Sequence, residues 1–297
     1  VTGVAAGNTV ITYTTTGGCF VVTTVTVYPL PAAITGIPSV CVGSTITLSD
    51  ATTPGVWSSI NPTIATAGAT TGIITGITAG IATIRFTTPA GCFATMAVTV
   101  HPLPSAITGS TTVCEGFTST LYNSLPGGTW TSTNTSVATI GLTSGVVSGI
   151  STGTTTISYI TPAGCFVVTS VLVNPSPVIT GTSSTNPTTC KTSDGTITLH
   201  GLTPGDSYSV TYMAGSTTVV VTIVANGAGD VVITGLAAGS YSGFWVTSAL
   251  GCGSNHFAPA IILSFPPAPP VPVASNNSPI CDGAALYLTA TDAVTGV

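Results

Sequence analysis

An internal repeat of 73 residues constrains the fold of this chain more than any other feature. Three sets of residues are spaced at this interval: Cys19, Cys92 and Cys165; Cys41 and Cys114; Trp57 and Trp130. The segments "VTGVAAGNTVITY" (1–13), "ITGITAGIATIRF" (74–86) and "VSGISTGTTTISY" (147–159) align without a gap. Similarity at a fixed period indicates tandem structural units, each formed by one repeat.

Proline-rich joints set the expected boundaries of these units. The segments "YPLP", "HPLP" and "NPSP" stiffen the backbone and predict short, fairly rigid linkers. The predicted domains are a partial repeat (1–31), two complete repeats (32–104 and 105–177), a divergent repeat (178–266) and a proline-rich linker with a partial repeat (267–297). Because both ends fall inside a repeat, the sequence resembles a window from a longer protein.

Hydrophobic residues alternate with a period of two, which is typical of strands. In the second repeat the pattern predicts strands at 33–37, 44–49, 55–59, 64–67, 72–76, 81–87 and 93–100. Seven short strands in about 73 residues favour an immunoglobulin-like β-sandwich. We therefore expect an all-β fold, a tandem array of small sandwiches that forms an elongated rod.

The aromatic residues of the complete repeats are predicted to be core residues. Trp57 and Trp130 lie on the third strand, where such sandwiches commonly bury a tryptophan. Phe86 and Tyr159 lie on the sixth strand, facing the same way as the isoleucine two residues earlier. A sugar-stacking platform formed by the tryptophans is the functional alternative.

The surface is unusually poor in charge. Charged residues are 3% of the chain, against about 25% in ordinary soluble domains. Either threonine and serine hydroxyls solvate the surface, or neighbouring chains or glycans cover it. Asn134 and Asn276 begin formal sequons, although O-linked sugar on threonine is the favoured form. A net charge of -5, with Arg85 and Lys191 as the cations, excludes a nucleic-acid interface.

The sequence predicts neither catalysis nor a cofactor. The three histidines are spread along the chain, with His101 in the second repeat and His200 and His256 in the fourth, and the acidic residues are scattered. Three of these acids share the fourth repeat and could meet in a calcium site: Asp194, Asp206 and Asp230. There is no D-x-D-x-D-G loop, no G-x-S-x-G motif and no phosphate loop. No apolar run approaches the roughly 20 residues of a membrane-spanning helix.

Residues 113–165, "VCEGFTSTLYNSLPGGTWTSTNTSVATIGLTSGVVSGISTGTTTISYITPAGC", resemble the group-2 bacterial Ig-like repeats of long secreted proteins in Bacteroidota. The W-x-S-x-N-x-x-x-A-T stretch, the G-x-V-x-G-x-x-x-G run and the Cys-x-Gly opening carry the resemblance. The fourth repeat, with "TCKTSDGTITLHGLTPGDSYSVTY" and "GLAAGSYSGFWVTSALGCGS", instead resembles repeats of gliding-motility surface adhesins. The resemblance implies an adhesive stalk or filament on a cell surface. A carbohydrate-binding accessory region of a secreted enzyme and a passive spacer for a tip domain are the alternatives.

Eight cysteines without metal-type spacing favour an oxidising, extracellular setting. Pairing within one repeat, Cys41 with Cys92, would span 51 residues, like an immunoglobulin core disulfide. The strand pattern instead places these two cysteines at opposite ends of a sandwich, too far apart to bond. Pairing between consecutive repeats is therefore favoured, with within-repeat pairing and free thiols left as alternatives.

Under this pairing each joint is clamped covalently. The predicted bonds are Cys41 with Cys165 and Cys114 with Cys252. The remaining cysteines are predicted to pair outside the chain: Cys19 and Cys92 upstream, Cys190 and Cys281 downstream.

Overall fold

The structure, a computed structural model, describes residues 1–267, 273–276 and 278–291. Every regular element in these residues is a β-strand, which confirms the expected all-β class. The chain divides into two compact units, Val1–Asn174 and Pro175–Val297. Parts of the predicted proline-rich linker and fifth repeat, with Asn277 of the second sequon and Asp292, lie outside the described residues.

The first unit begins with a hairpin of β1 (Gly7–Thr14) and β2 (Phe20–Val27). This hairpin is equivalent to the sixth and seventh strands of a complete repeat. In the described residues it pairs with no further strand. Its apolar side chains are correspondingly open, with Ile11 36% exposed where the equivalent Ile84 is 0% exposed.

The second repeat forms two sheets that pack face to face. One sheet has the order β3-β9-β8-β5, and the other has the order β4-β7-β6. The strands are β3 (Ser39–Cys41), β4 (Thr45–Thr47), β5 (Val56–Ser59), β6 (Ala65–Ala67), β7 (Ile73–Gly76), β8 (Gly80–Thr87) and β9 (Phe93–His101).

The third repeat copies this arrangement. Its sheets have the orders β11-β17-β16-β13 and β10-β12-β15-β14. The strands are β10 (Thr108–Gly109), β11 (Thr112–Cys114), β12 (Thr118–Tyr122), β13 (Thr129–Ser132), β14 (Ala138–Ile140), β15 (Val146–Gly149), β16 (Gly153–Ile160) and β17 (Phe166–Asn174).

Each sandwich has its own core, as the two-residue alternation requires. Ile84 and Phe86 of β8 point inward, and Trp57 lies opposite Phe86 on β5 with the ring centroids 4.9 Å apart. In the third repeat Trp130 and Tyr159 form the same pair at 4.7 Å. The two tryptophans are 7% and 5% exposed, so they are core residues and present no open ring face for stacking a sugar.

Two details of the second repeat differ from the prediction. The expected strand at 33–37 is only an isolated bridge between Thr35 and Ser49. A strand that was not predicted, β3, runs parallel to the end of β9 and pairs Cys41 with His101. Three residues are too few to show a two-residue period, so this strand has no sequence signal of its own.

The second unit contains the fourth repeat, whose sheets have the orders β18-β19-β22 and β21-β20-β23-β24. The strands are β18 (Gly181–Thr185), β19 (Gly195–His200), β20 (Ser207–Ala214), β21 (Thr217–Val224), β22 (Val231–Leu236), β23 (Gly239–Ser248) and β24 (Ile261–Leu263). An antiparallel pair follows, β25 (Val273–Asn276) and β26 (Leu288–Thr291). Among the described residues, no helix has the length and apolarity needed to cross a membrane.

Candidate functional site: a disulfide-linked joint between repeats

The repeated "TPAGC" segment forms the turn between the last two strands of a sandwich. Thr161 receives a hydrogen bond from Gly164 N–H at 2.9 Å and donates its own N–H to the Cys165 carbonyl at 2.8 Å. Gly164 has φ +82°, a conformation that glycine adopts without a steric penalty. The same two bonds recur in the turns that contain Cys19, Cys92 and Cys252, so each of these cysteines lies on an equivalent turn.

The second cysteine of each repeat lies at the opposite end of the sandwich. Cys41 ends β3 and is paired with His101, the last residue of β9, whereas Cys92 immediately precedes Phe93, the first. Nine strand residues separate these ends by about 27 Å. Cys41 and Cys92 therefore cannot approach within the roughly 7 Å between Cα atoms that a disulfide requires.

Cys41 is bonded instead to Cys165, across the joint between the second and third repeats. The two Cα atoms are 5.7 Å apart and the residues are separated by 124 positions. Cys165 is 1% exposed and Cys41 is partly buried, so the Cys165 side of the bond is enclosed. This covalent link fixes the start of one sandwich to the terminal turn of the next.

The other six cysteines fall into two groups. Cys114 and Cys252 are also disulfide-bonded; their predicted pairing with each other stays a prediction. The remaining four carry free thiols: Cys19, Cys92, Cys190 and Cys281. Their predicted pairing outside the chain is likewise untested.

A groove recurs beside each terminal turn. In the first unit, one groove of about 410 Å³ is lined by Tyr28, Pro29 and the Thr88–Ala90 segment. The equivalent groove, of about 480 Å³, is lined by His101, Pro102 and the Thr161–Ala163 segment. Tyr28 and His101 occupy the same repeat position. The imidazole of His101 in one groove is therefore not repeated in the other, where a tyrosine takes its place.

The fourth repeat contains a polar constellation that sequence reasoning missed. Ser183 Oγ lies 2.9 Å from His200 Nε2, and His200 Nδ1 lies 2.7 Å from Asp230 Oδ1. The pairing of β18 with β19, in which Gly181 lies opposite His200, brings Ser183 and His200 onto neighbouring strands. The sequence does not show that Asp230 lies beside them, because that contact depends on the tertiary fold.

The order of these three groups is that of a serine–histidine–aspartate triad. The side chains of His200 and Asp230 are 38% and 23% exposed, and Ser183, on the edge strand β18, is exposed. A nucleophile would also need donors aimed at a developing oxyanion in a water-excluded site. Such open, solvated side chains instead fit a role in tying β18 to β19 and to the turn before β22.

The three acidic residues weighed above as a minor calcium-site alternative do not come together: Asp194, Asp206 and Asp230. Within the described residues, no three side chains of histidine, cysteine, aspartate or glutamate are grouped to hold a metal ion. Asp230 contacts His200, whereas Asp194 accepts hydrogen bonds from Thr188 and Thr192. These bonds, with those from Thr188 the strongest, lower the pKa of Asp194 from 3.8 to about 2.

Comparison with known proteins reveals no close relative. No protein-family profile matches the chain, and no characterised protein matches it in sequence. Among solved structures, domains 4 and 5 of the S-layer protein SbsC are 20% identical, with 49% of this chain and 99% of that chain covered at a TM-score of 0.25.

Two further solved structures also match part of the chain. The C-terminal fragment of intimin, in complex with the intimin-binding domain of its translocated receptor, is 15% identical, covering 54% and 69% of the two chains at a TM-score of 0.36. The chicken CNTN1 FN1–FN3 domains are 12% identical, covering 79% and 99% at a TM-score of 0.29.

Proposed function

We propose that this chain is a structural and adhesive segment of a long secreted bacterial surface protein, in which consecutive sandwiches are clamped by disulfides into a stalk or filament. The observation that carries the proposal is the Cys41–Cys165 bond, because it joins two repeats and uses positions that recur through the sequence. The resemblance to Bacteroidota Ig-like repeats and gliding-motility adhesins supports the same assignment.

Disulfides support an extracellular location, since they persist in oxidising compartments. Under the proposal the same clamp continues along the array. Cys114 pairs with Cys252, while Cys19, Cys92, Cys190 and Cys281 pair with cysteines outside this chain. Their thiols are accessible, with three of the four exposed and Cys92 partly buried.

Lateral association or glycan cover follows from the surface composition. Charged residues are 3% of the chain, so little electrostatic repulsion keeps neighbouring chains apart. Partners are then further copies or repeats of the same protein, and surface glycans. O-linked sugar on threonine is expected in preference to sugar at Asn134.

Non-reducing peptide mapping of the native protein tests the clamp. We expect a Cys41–Cys165 linked peptide and a Cys114–Cys252 linked peptide. A Cys41–Cys92 peptide would contradict the proposal. Electron microscopy of native material separates an associating filament from a passive spacer, because only the filament shows bundled or end-joined chains.

Under this proposal the protein has a structural role and is not an enzyme. The solvated Ser183–His200–Asp230 group is then a structural network, and a fluorophosphonate probe should not label Ser183. Covalent labelling that is lost in Ser183→Ala and His200→Gln would overturn the non-enzymatic assignment while leaving the clamp intact.

A further inference from the structure

Two equivalent grooves lie over the buried tryptophans of the complete repeats. The Trp57 groove has a volume of about 450 Å³ and is lined by Asp50, Trp57, Thr70 and Phe86 among others. The Trp130 groove has a volume of about 280 Å³ and is lined by residues at the same repeat positions: Asn123, Trp130, Thr143 and Tyr159. Small-molecule sites typically occupy about 300–1,000 Å³, so only the Trp57 groove reaches this range.

The third repeat closes its groove with its own side chains. The Tyr159 hydroxyl donates to the Leu125 carbonyl and accepts the Gly128 N–H at 2.9 Å. Asn123 donates through Nδ2 to the Ser105 carbonyl at 2.7 Å and accepts the Leu125 N–H at 3.0 Å through Oδ1. These polar groups therefore have partners within the protein.

The second repeat has the same frame but lacks two of these partners. Phe86 replaces Tyr159, so no ring hydroxyl is available to Gly55 N–H. Asp50 replaces Asn123, and its Oδ1 accepts the Thr52 N–H at 2.7 Å. Its Oδ2, an acceptor where Asn123 has a donor, is buried without a hydrogen bond among the described residues.

The Asp50 Oδ2 atom is one of the buried side-chain atoms without a hydrogen bond among the described residues, and buried carboxylate oxygens normally find a partner. The Trp57 indole N–H is not in that buried set, so it is open to solvent and can donate to a ligand in the groove. The groove thus combines a buried unpaired acceptor, a solvent-facing donor, the threonine side chain of Thr70 and the edges of two aromatic rings. A ligand that fits must supply both hydroxyl donors and hydroxyl acceptors along with an apolar surface.

We propose that the Trp57 groove binds one residue of a neutral glycan. One sugar hydroxyl donates to Asp50 Oδ2, a second sugar oxygen accepts from the Trp57 indole N–H, and C–H groups of the sugar contact the exposed edges of Trp57 and Phe86 without stacking on a ring face. The sugar is neutral because the Asp50 carboxylate repels an acidic sugar, and the groove lining contains no lysine, arginine or histidine. A metal ion is disfavoured because Asp50 is the one carboxylate lining the groove.

This inference goes beyond the proposed clamp, and the two can fail separately. The clamp depends on disulfide connectivity, whereas the groove depends on a set of side chains inside one sandwich. The repeat comparison explains why binding is expected in the second repeat and not in the third. It also supplies the substitutions that should convert one groove into the other.

The test uses the whole oxidised chain and a panel of methyl glycosides of glucose, galactose, mannose and N-acetylglucosamine. Saturation-transfer NMR detects binding, and the shift of the Trp57 indole resonance locates it. We expect at least one glycoside to bind and to perturb Trp57 rather than Trp130. No binding by any of the four would overturn the proposal.

Two variants and one control complete the test. Phe86→Tyr restores the hydroxyl found in the third repeat, and Asp50→Asn restores the amide. Asp50→Asn should weaken binding at least about tenfold, because it removes a charged hydrogen-bond acceptor. Phe86→Tyr should weaken it by a similar factor, because the added hydroxyl takes up space in the groove and pairs with the backbone there, as Tyr159 does in the third repeat. Thr143→Ala, in the Trp130 groove, should bind as the wild type does. Unchanged affinity in folded Asp50→Asn protein would refute the site even if Phe86→Tyr failed to fold.

Discussion

Removing the disulfide between the second and third repeats should destabilise both of them. The bond closes a loop across 124 positions, and loop-closure entropy for a chain of this length corresponds to about 5 kcal/mol at 25 °C. The second and third repeats have separate cores, so without the bond each would unfold with no constraint from the other. We therefore expect Cys41→Ser/Cys165→Ser to lose about 5 kcal/mol of unfolding free energy summed over the two repeats.

The assay is urea unfolding followed by NMR of the tryptophan indole N–H signals. Trp57 and Trp130 lie in the cores of the second and third repeats respectively, so each signal reports one sandwich. Both should shift to lower urea in the double variant. The matched control is Cys19→Ser/Cys92→Ser, which removes free thiols from equivalent turns and should leave both transitions in place.

Two results would refute this reasoning. A loss below about 1 kcal/mol would mean that the closed loop gives little constraint to the unfolded chain. A shift in only one of the two signals would mean that the bond stabilises a single sandwich and does not couple the repeats.

Three further outcomes are expected. Gly145→Ala should lower the free energy of unfolding by about 3 kcal/mol in a thermal-unfolding assay, because φ is +69° and the added Cβ would lie 2.3 Å from the Leu121 carbonyl oxygen. The control Gly164→Ala has φ +82° and open space around the added Cβ, so it should lower the free energy of unfolding by only about 1–2 kcal/mol. Tyr159→Phe should lower the free energy of unfolding by about 1–2 kcal/mol in urea, because the partly buried Gly128 N–H and Leu125 carbonyl lose their hydroxyl partner. Thr188→Ala should raise the pKa of Asp194 from about 2 toward 3.8 in a carboxyl-carbon NMR titration. Because the folded pKa is the lower one, the stabilisation is complete above about pH 4 and is lost as the pH falls through 2; an unchanged pKa would contradict the assigned cause.

The repeat period and the two-residue alternation were sufficient to predict the sandwiches and their aromatic cores, because burial on one face of a strand selects residues directly. Trp57 and Phe86 could be placed in this way. The parallel strand that ends at Cys41 could not, because three residues carry no measurable period and the pairing depends on the distant end of β9. The same limit applies to the fourth repeat, where His200 and Asp230 are 30 residues apart and meet only through sheet pairing.

The grooves illustrate a different limit. A single exchange, phenylalanine for tyrosine at one repeat position, looks conservative in sequence. Its consequence appears only when the hydroxyl of Tyr159 is seen bridging Gly128 and Leu125. The sequence alone identified Phe86 and Tyr159 as core residues. It could not reveal that the Tyr159 hydroxyl also forms hydrogen bonds with two backbone groups.

The Cys41–Cys165 bond also has a mechanical consequence. When the chain is pulled from its ends, the Cys41–Cys165 bond carries tension from residue 41 to residue 165 through the sulfur atoms. The intervening segment includes β4 to β9 and nearly all of the third repeat up to its terminal turn, and it bears load only through Cys114, which has a disulfide of its own. Since Cys41 and Cys165 are 124 positions apart, their bond by itself shields up to roughly 430 Å of contour length from the pulling force at about 3.5 Å per residue. Reduction would release this length, so in force spectroscopy the oxidised protein should yield far less extension before rupture than the reduced one.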